Sequence, residues 1–160
     1  MHKLYNYVPK EIDAEQTGLW SPIVASRMSL KHYFGRARTR TKKGVLAYLE
    51  TLFPGRSRAI SFLTAPMTDQ CLYYDDFCRD RILYSVDFDI LLQKGFVEGI
   101  YRSEGKKLQK IKAQEIQWNE VLPWSKVGSG LFFKVIPHYM IVIRDGKIPP
   151  ELIKQEKVIV

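Results

Sequence analysis

Hydrophobic and polar positions follow two periods along this chain. Over Arg81–Phe88 they alternate, with Ile82, Tyr84, Val86 and Phe88 on one side. Over Ile116–Leu122 they alternate again, with Ile116, Trp118, Glu120 and Leu122 together. A period of two is that of a strand, whose successive side chains leave opposite faces. Gly44–Phe53 follows the helical period instead. Val45, Leu49 and Leu52 recur at i, i+4 and i+7, and Pro54-Gly55 stops the run. Short runs rich in β-branched and aromatic residues predict further strands: Lys3–Val8, Ala59–Thr64, Phe96–Tyr101, Leu131–Ile136, Tyr139–Ile143 and a short one near Val158–Val160, with Pro9, Pro66 and Pro137 at their borders.

Between these lie the breakers. Glu11–Ser21 is a polar connection punctuated by Gly18 and Ser21-Pro22. Ser26–Phe34 has the length of a short helix, whereas Gly35–Lys43 has no apolar period and reads as a basic loop or helix end. Thr68–Asp80 is ambiguous, with Thr68 able to cap a helix through Phe77. Asp87 or Asp89 is expected to cap a helix of one or two turns ending at Gly95. Ser103–Lys112 is lysine-rich and expected to be a solvated turn or helix. Trp124–Gly130 is a loop, Asp145-Gly146 a tight turn, and Ile148–Ile153 (IPPELI) a proline-fixed turn. Strands outnumber helices and several follow one another directly. This predicts one α+β domain over residues 1–160, with mainly antiparallel or mixed twisted sheets and a few short helices.

At 160 residues the chain can bury about two thirds of its unfolded surface without staples. With 46% hydrophobic and 12% aromatic residues it is not composed as a disordered chain. The start, Met1–Pro9, has no signal-type apolar run, and no apolar stretch is long enough to span a bilayer. Cys71 and Cys78 read as reduced thiols, so the expectation is a cytoplasmic protein with no membrane partner. The three histidines, His2, His32 and His138, are far apart, so no metal site is expected.

Charge changes the picture more than composition does. Arg27, Lys31, Arg36, Arg38, Arg40, Lys42, Lys43, Arg56 and Arg58 face only Glu50 over residues 27–58. That segment's net +8 equals the charge of the whole chain. Such concentration steers an anionic partner, whether nucleic acid, a phosphorylated ligand or an acidic protein. In an extended loop the period-two cations Arg36, Arg38, Arg40 and Lys42, with Lys43, suit a phosphate backbone, and Tyr33 or Phe34 suits stacking on a base. A solvated loop that aids solubility is the alternative.

The strong sequence signatures of phosphate-loop, dinucleotide-binding, zinc-protease and serine-hydrolase chemistry are all missing. His138, between Pro137 and Tyr139, reads as a packed core or edge histidine. The carboxylates matter more. Glu120 shares its expected face with Ile116, Trp118 and Leu122; a buried acid of that kind needs a cationic neighbour or a chemical task. Alternatively Glu120 ends its strand and reaches water. Glu98, beside Gly99, is a rival with the same two readings.

Several segments, in order, resemble the small ADP-ribosyltransferase-like domains, including the DarT type that modify nucleic acid. They are Leu4–Tyr7 (LYNY), Gly18–Pro22 (GLWSP), Ala59–Thr64 (AISFLT), Val86–Leu92 (VDFDILL), Asn119–Pro123 (NEVLP) and Ile148–Ile153 (IPPELI). The resemblance implies NAD bound in a cleft between two small sheets, with Glu120 as catalytic carboxylate. It further implies Tyr5 or Asn6 orienting the ribose, Ser61 or Tyr33 at the nicotinamide or adenosine end, and Arg27 on the pyrophosphate. The acceptor would be a nucleic acid or a protein. Asn6 stands where many relatives carry histidine, and Trp124–Gly146 intervenes between the E-V-L and I-P-P segments, which lie close together in relatives. A non-catalytic nucleic-acid-binding, regulatory or host-interaction protein using residues 27–58 is the competing expectation.

Overall fold

The computed structural model describes residues 2–27, 42–67, 78–105, 107–121 and 137–157. Two antiparallel sheets organise them. In the first, β4 (Arg81–Asp87) lies between β1 (Lys3–Pro9) and β9 (Ile153–Gln155). The second runs β3 (Ala59–Phe62), β7 (His138–Ile143), β5 (Val97–Glu104), β6 (Lys107–Ile111). A short ladder pairs β2 (Leu19–Trp20) with β8 (Lys147–Ile148). The two sheets are tied where β1 meets the end of β3: Tyr5 and Leu63 exchange both backbone hydrogen bonds, at 2.8 and 2.9 Å.

The expected mixture of antiparallel sheets and few helices is therefore present. The α-helices named among the described residues are α1 (Ala14–Thr17), α2 (Pro22–Arg27), α3 (Lys42–Leu52) and α4 (Phe88–Gln93). None is long and apolar enough to cross a membrane. Asp87, one of the two expected caps, accepts from the backbone amides of Asp89 and Ile90 and so starts α4. The core joins both sheets: Leu4, Val8, Ile60, Phe62, Tyr84, Val86, Phe88, Ile141, Ile143 and Ile148 are all buried in one cluster. Leu83 and Ser85, on the other face of β4 from Tyr84 and Val86, are buried as well, so both faces of this strand are shielded from solvent.

Two expectations are corrected and two others fall largely or wholly outside the described residues. A helix, α2, stands at Pro22–Arg27, where Pro22 suits the first helical position, while the helix expected at Ser26–Phe34 lies outside the described residues from residue 28 onward. The lysine-rich 103–112 stretch is not helical, and apart from a turn at Gly105 it is mostly strand. Gly105, at φ 61°, reverses the chain so that β6 pairs with β5, Glu104 opposite Lys107 and Tyr101 opposite Lys110. As an edge strand β6 exposes all but Ile111, and this hides its period. Among the described residues the final strand is β9; the short strand expected near Val158–Val160 lies outside them. Finally, 116–121 is not a strand. A 3-10 turn at Ala113–Glu115 leads into irregular chain in which Asn119 sits at φ 58°. The alternation nevertheless persists: Ile116, Trp118 and Glu120 face inward while Gln117, Asn119 and Val121 are exposed. Thr68–Phe77, Leu131–Ile136, the 124–130 loop and residues 28–41 lie outside the described residues.

Candidate active site

The register of the second sheet makes Arg102 on β5 and Tyr139 on β7 cross-strand partners. Directly opposite residues share a face with their side chains in reach of each other. The Arg102 guanidinium lies 5.2 Å from the centre of the Tyr139 ring and donates from Nη1 to the phenol oxygen at 2.5 Å. The same guanidinium grips Glu120 with both arms, Nη1 to Oε1 and Nη2 to Oε2, each at 2.8 Å. This is the two-pronged geometry that suits arginine to carboxylates. The two side chains are 14% and 20% exposed, so the pair is shielded but reachable from solvent. The hydrogen bonds to Glu120, against the opposing effect of burial and with help from Tyr139 and Glu104, hold the Arg102 guanidinium even more firmly protonated than usual.

The backbone beneath Glu120 is fixed as closely as its carboxylate. Buried Thr64, two residues past β3, donates its hydroxyl to the Gln117 carbonyl at 2.7 Å and accepts from the Glu120 amide at 3.1 Å. The Tyr139 oxygen accepts from the Gln117 amide at 2.9 Å. These side chains take the backbone groups that a neighbouring strand would otherwise pair, so the segment keeps an extended alternation without a ladder. Trp118 anchors the segment further by stacking on His2, with 4.5 Å between ring centres, and tilting against Phe88.

The expected residues fall into three groups. Tyr5, Asn6, Ser61 and Glu120 are brought onto one short stretch, residues 61–64: Tyr5 pairs with Leu63, Asn6 Nδ2 donates to the Ser61 carbonyl at 2.7 Å, and Glu120 hangs from Thr64. Tyr33, Arg36, Arg38 and Arg40 lie outside the described residues, as do the side chains of Arg27, Lys42 and Lys43. Arg56 and Arg58, at the end of the basic stretch, have structural partners. Arg58 forms an ion pair with Glu98, which occupies the rival carboxylate. Burial shifts the Arg56 pKa downward against the opposing pull of Glu50, whose carboxylate in turn accepts from the Gly55 and Ser57 amides. The other seven cations of the stretch belong to residues 27–43, which contain no acid in sequence.

Arg102, Tyr139 and Thr64 were not singled out from the sequence. Their meeting depends on sheet register, and no local spacing reports it. Elsewhere, an open hollow of about 690 Å³ lies at the Pro9 end of β1, lined by Lys10, Cys78, Arg81, Ile82, Gln155, Glu156 and Lys157. None of the expected site residues lines it, and its cations are offset by Glu156 in the wall and by Asp80 and Glu11 near Arg81. Cys78 is buried and forms no disulfide, and no group of His, Cys, Asp and Glu among the described residues could hold a metal ion. Comparison of the chain with protein-family models, with curated proteins and with solved structures gives no match.

Proposed function

We propose that the chain is an NAD-dependent ADP-ribosyltransferase-like enzyme acting on a nucleic-acid or protein acceptor, with Glu120 as its catalytic carboxylate. One observation carries the reading: Tyr5 and Asn6 on β1, and Glu120 far along the chain from them, all bond to residues 61–64, the stretch that begins with Ser61, at the junction of two small sheets. The chemistry of the donor set fits. A carboxylate has about four lone-pair positions, and the Arg102 fork uses two, so each oxygen of Glu120 can still accept a ribose hydroxyl. Tyr5 or Asn6, whose side chains leave opposite faces of β1, would orient the ribose, with Ser61 or Tyr33 at the nicotinamide or adenosine end and Arg27 on the pyrophosphate. NAD supplies a C1′–nicotinamide bond that breaks with its electron pair on nicotinamide while the acceptor's lone pair bonds C1′ and its proton passes to solvent or a base. Glu120 would stabilise the positive charge that develops at C1′, where a fixed, partly shielded anion acts more strongly than one in water.

Glu120→Gln keeps the shape and removes the charge. It is expected to lower nicotinamide release from NAD by about 100-fold or more, while far-ultraviolet circular dichroism stays that of the wild type. Release at the wild-type rate in a folded variant would remove Glu120 from the mechanism. NAD is also expected to raise the melting temperature of the wild type, as any ligand specific to the folded state does.

Residues 27–43 favour a second reading, in which the chain binds nucleic acid without catalysis: seven cations and no acid stand there, whereas Arg56 and Arg58 are matched by Glu50 and Glu98. An NAD-independent protein that binds oligonucleotides with a steep salt dependence would favour this reading over the first.

A further inference from the structure

We infer that Arg102 is a positioning residue whose forked grip, braced by Tyr139, sets the angle of the Glu120 carboxylate in the working site. This rests on the transferase reading and adds to it a residue that neither the sequence pattern nor the resemblance singled out.

The two contacts to Glu120 are equal in length, so the guanidinium and carboxylate planes are locked as a unit. An ion pair serving only to tie a surface loop would not need this degree of restraint. Exposed pairs contribute little, and Glu120's segment is already held by Thr64, Tyr139 and the Trp118 stack. Arg102 is restrained in turn. Its own strand fixes it opposite Tyr139, whose ring lies beneath the guanidinium and whose oxygen takes one of its hydrogens. Glu104 approaches Nη2 at 3.3 Å. The chain therefore builds support behind one carboxylate in successive tiers: strand register fixes Arg102 and Tyr139, Arg102 fixes Glu120, and Thr64 fixes the backbone from which Glu120 projects. Catalytic groups require such support, because misplacement by about 1 Å can cost 100-fold in rate.

Nicotinamide release by folded Arg102→Ala and Arg102→Lys tests this. Loss of positioning predicts that R102A lowers kcat by about 100-fold while KM changes by less than about threefold. Lysine keeps the charge but not the fork, so R102K is expected to recover less than about a tenth of the loss. Guanidinium ion at about 10 mM, far below denaturing concentrations, is expected to restore R102A at least tenfold but not the R102A/E120Q double variant. Wild-type kcat in folded R102A or R102K overturns the inference, as does a deficit in R102A that guanidinium leaves unchanged or relieves equally in the double variant. Should R102A not fold, R102K carries the test by the same kcat criterion. Absence of nicotinamide release from the wild type overturns the transferase reading and this inference with it. Release that depends on Glu120 but not on Arg102 overturns the inference alone.

Discussion

Thr64 shows how much one side chain can hold. Its buried hydroxyl satisfies the Gln117 carbonyl and the Glu120 amide together, two backbone groups that have no ladder partner. Thr64→Val keeps the volume and removes both bonds. It is expected to cost about 1–3 kcal/mol, read as a lowered urea midpoint at unchanged slope. A midpoint equal to that of the wild type would mean that solvent serves these groups instead. Gly18 is constrained by conformation rather than bonding. It sits at φ 77° and ψ −168°, and a Cβ there would stand 2.0 Å from the Ile148 carbonyl oxygen. That backbone region costs other residues about 1–3 kcal/mol before any clash, so Gly18→Ala is expected to be among the most destabilising single changes outside the core. A melting temperature within error of the wild type would contradict it.

Elements here depend on their ends. α4 has six residues, too few to stand alone, and starts because Asp87 takes the first free amides. Asp87→Ala is expected to cost about 1 kcal/mol by chemical denaturation, with Asp87→Asn recovering most of it. β9 is a three-residue edge strand, and Glu156, just beyond it, helps seat it: its carboxylate accepts from the Ser85 hydroxyl at 2.7 Å and from the Lys3 ammonium at 3.0 Å. Those contacts, the Ser85 hydroxyl foremost, hold the Glu156 carboxyl below its ordinary value despite some desolvation. A carboxyl depressed in the folded state contributes stability that is complete above its unfolded pKa. That contribution is lost as pH falls through the folded value. Urea midpoints of the wild type are therefore expected to fall from about pH 4.3 downward, and Glu156→Gln is expected to flatten that fall while lowering stability at neutral pH. Parallel curves for the two proteins would show that Glu156 is not the titrating group.

At the scale of the whole molecule, charge and fold are separately organised. The net +8 is concentrated in one stretch, yet its C-terminal members are built into the sheet-and-helix frame through Glu50 and Glu98. A phosphate-bearing partner is therefore expected to sense residues 27–43. Oligonucleotide affinity should fall linearly with the logarithm of salt. The R36A/R38A/R40A triple variant should shrink that slope by about 0.7 per lost single-strand phosphate contact, and R58A should leave it unchanged. An unchanged slope in the triple variant would assign any binding to another surface.

What could be read in the sequence was local. The period of Gly44–Phe53, the aromatic run of Lys3–Val8, the cap at Asp87 and the alternation around Glu120 all lie within about ten residues, and each reports a side chain's own secondary structure or its preference for water. Glu120 could be chosen because an acid at an inward position needs a reason. The reason itself, the Arg102 fork, could not be read, since it depends on β5 pairing with β7 in one register out of several, and register is set by core packing rather than by neighbours in the chain. The same holds for β6, whose lysines look solvated because they are solvated, and which is a strand only because β5 offers it an edge. Sequence thus determined which residues avoid water and which turn the chain. Tertiary structure alone decided which charges meet, because the interaction that fixes a charge acts across space between segments whose separation no local pattern encodes.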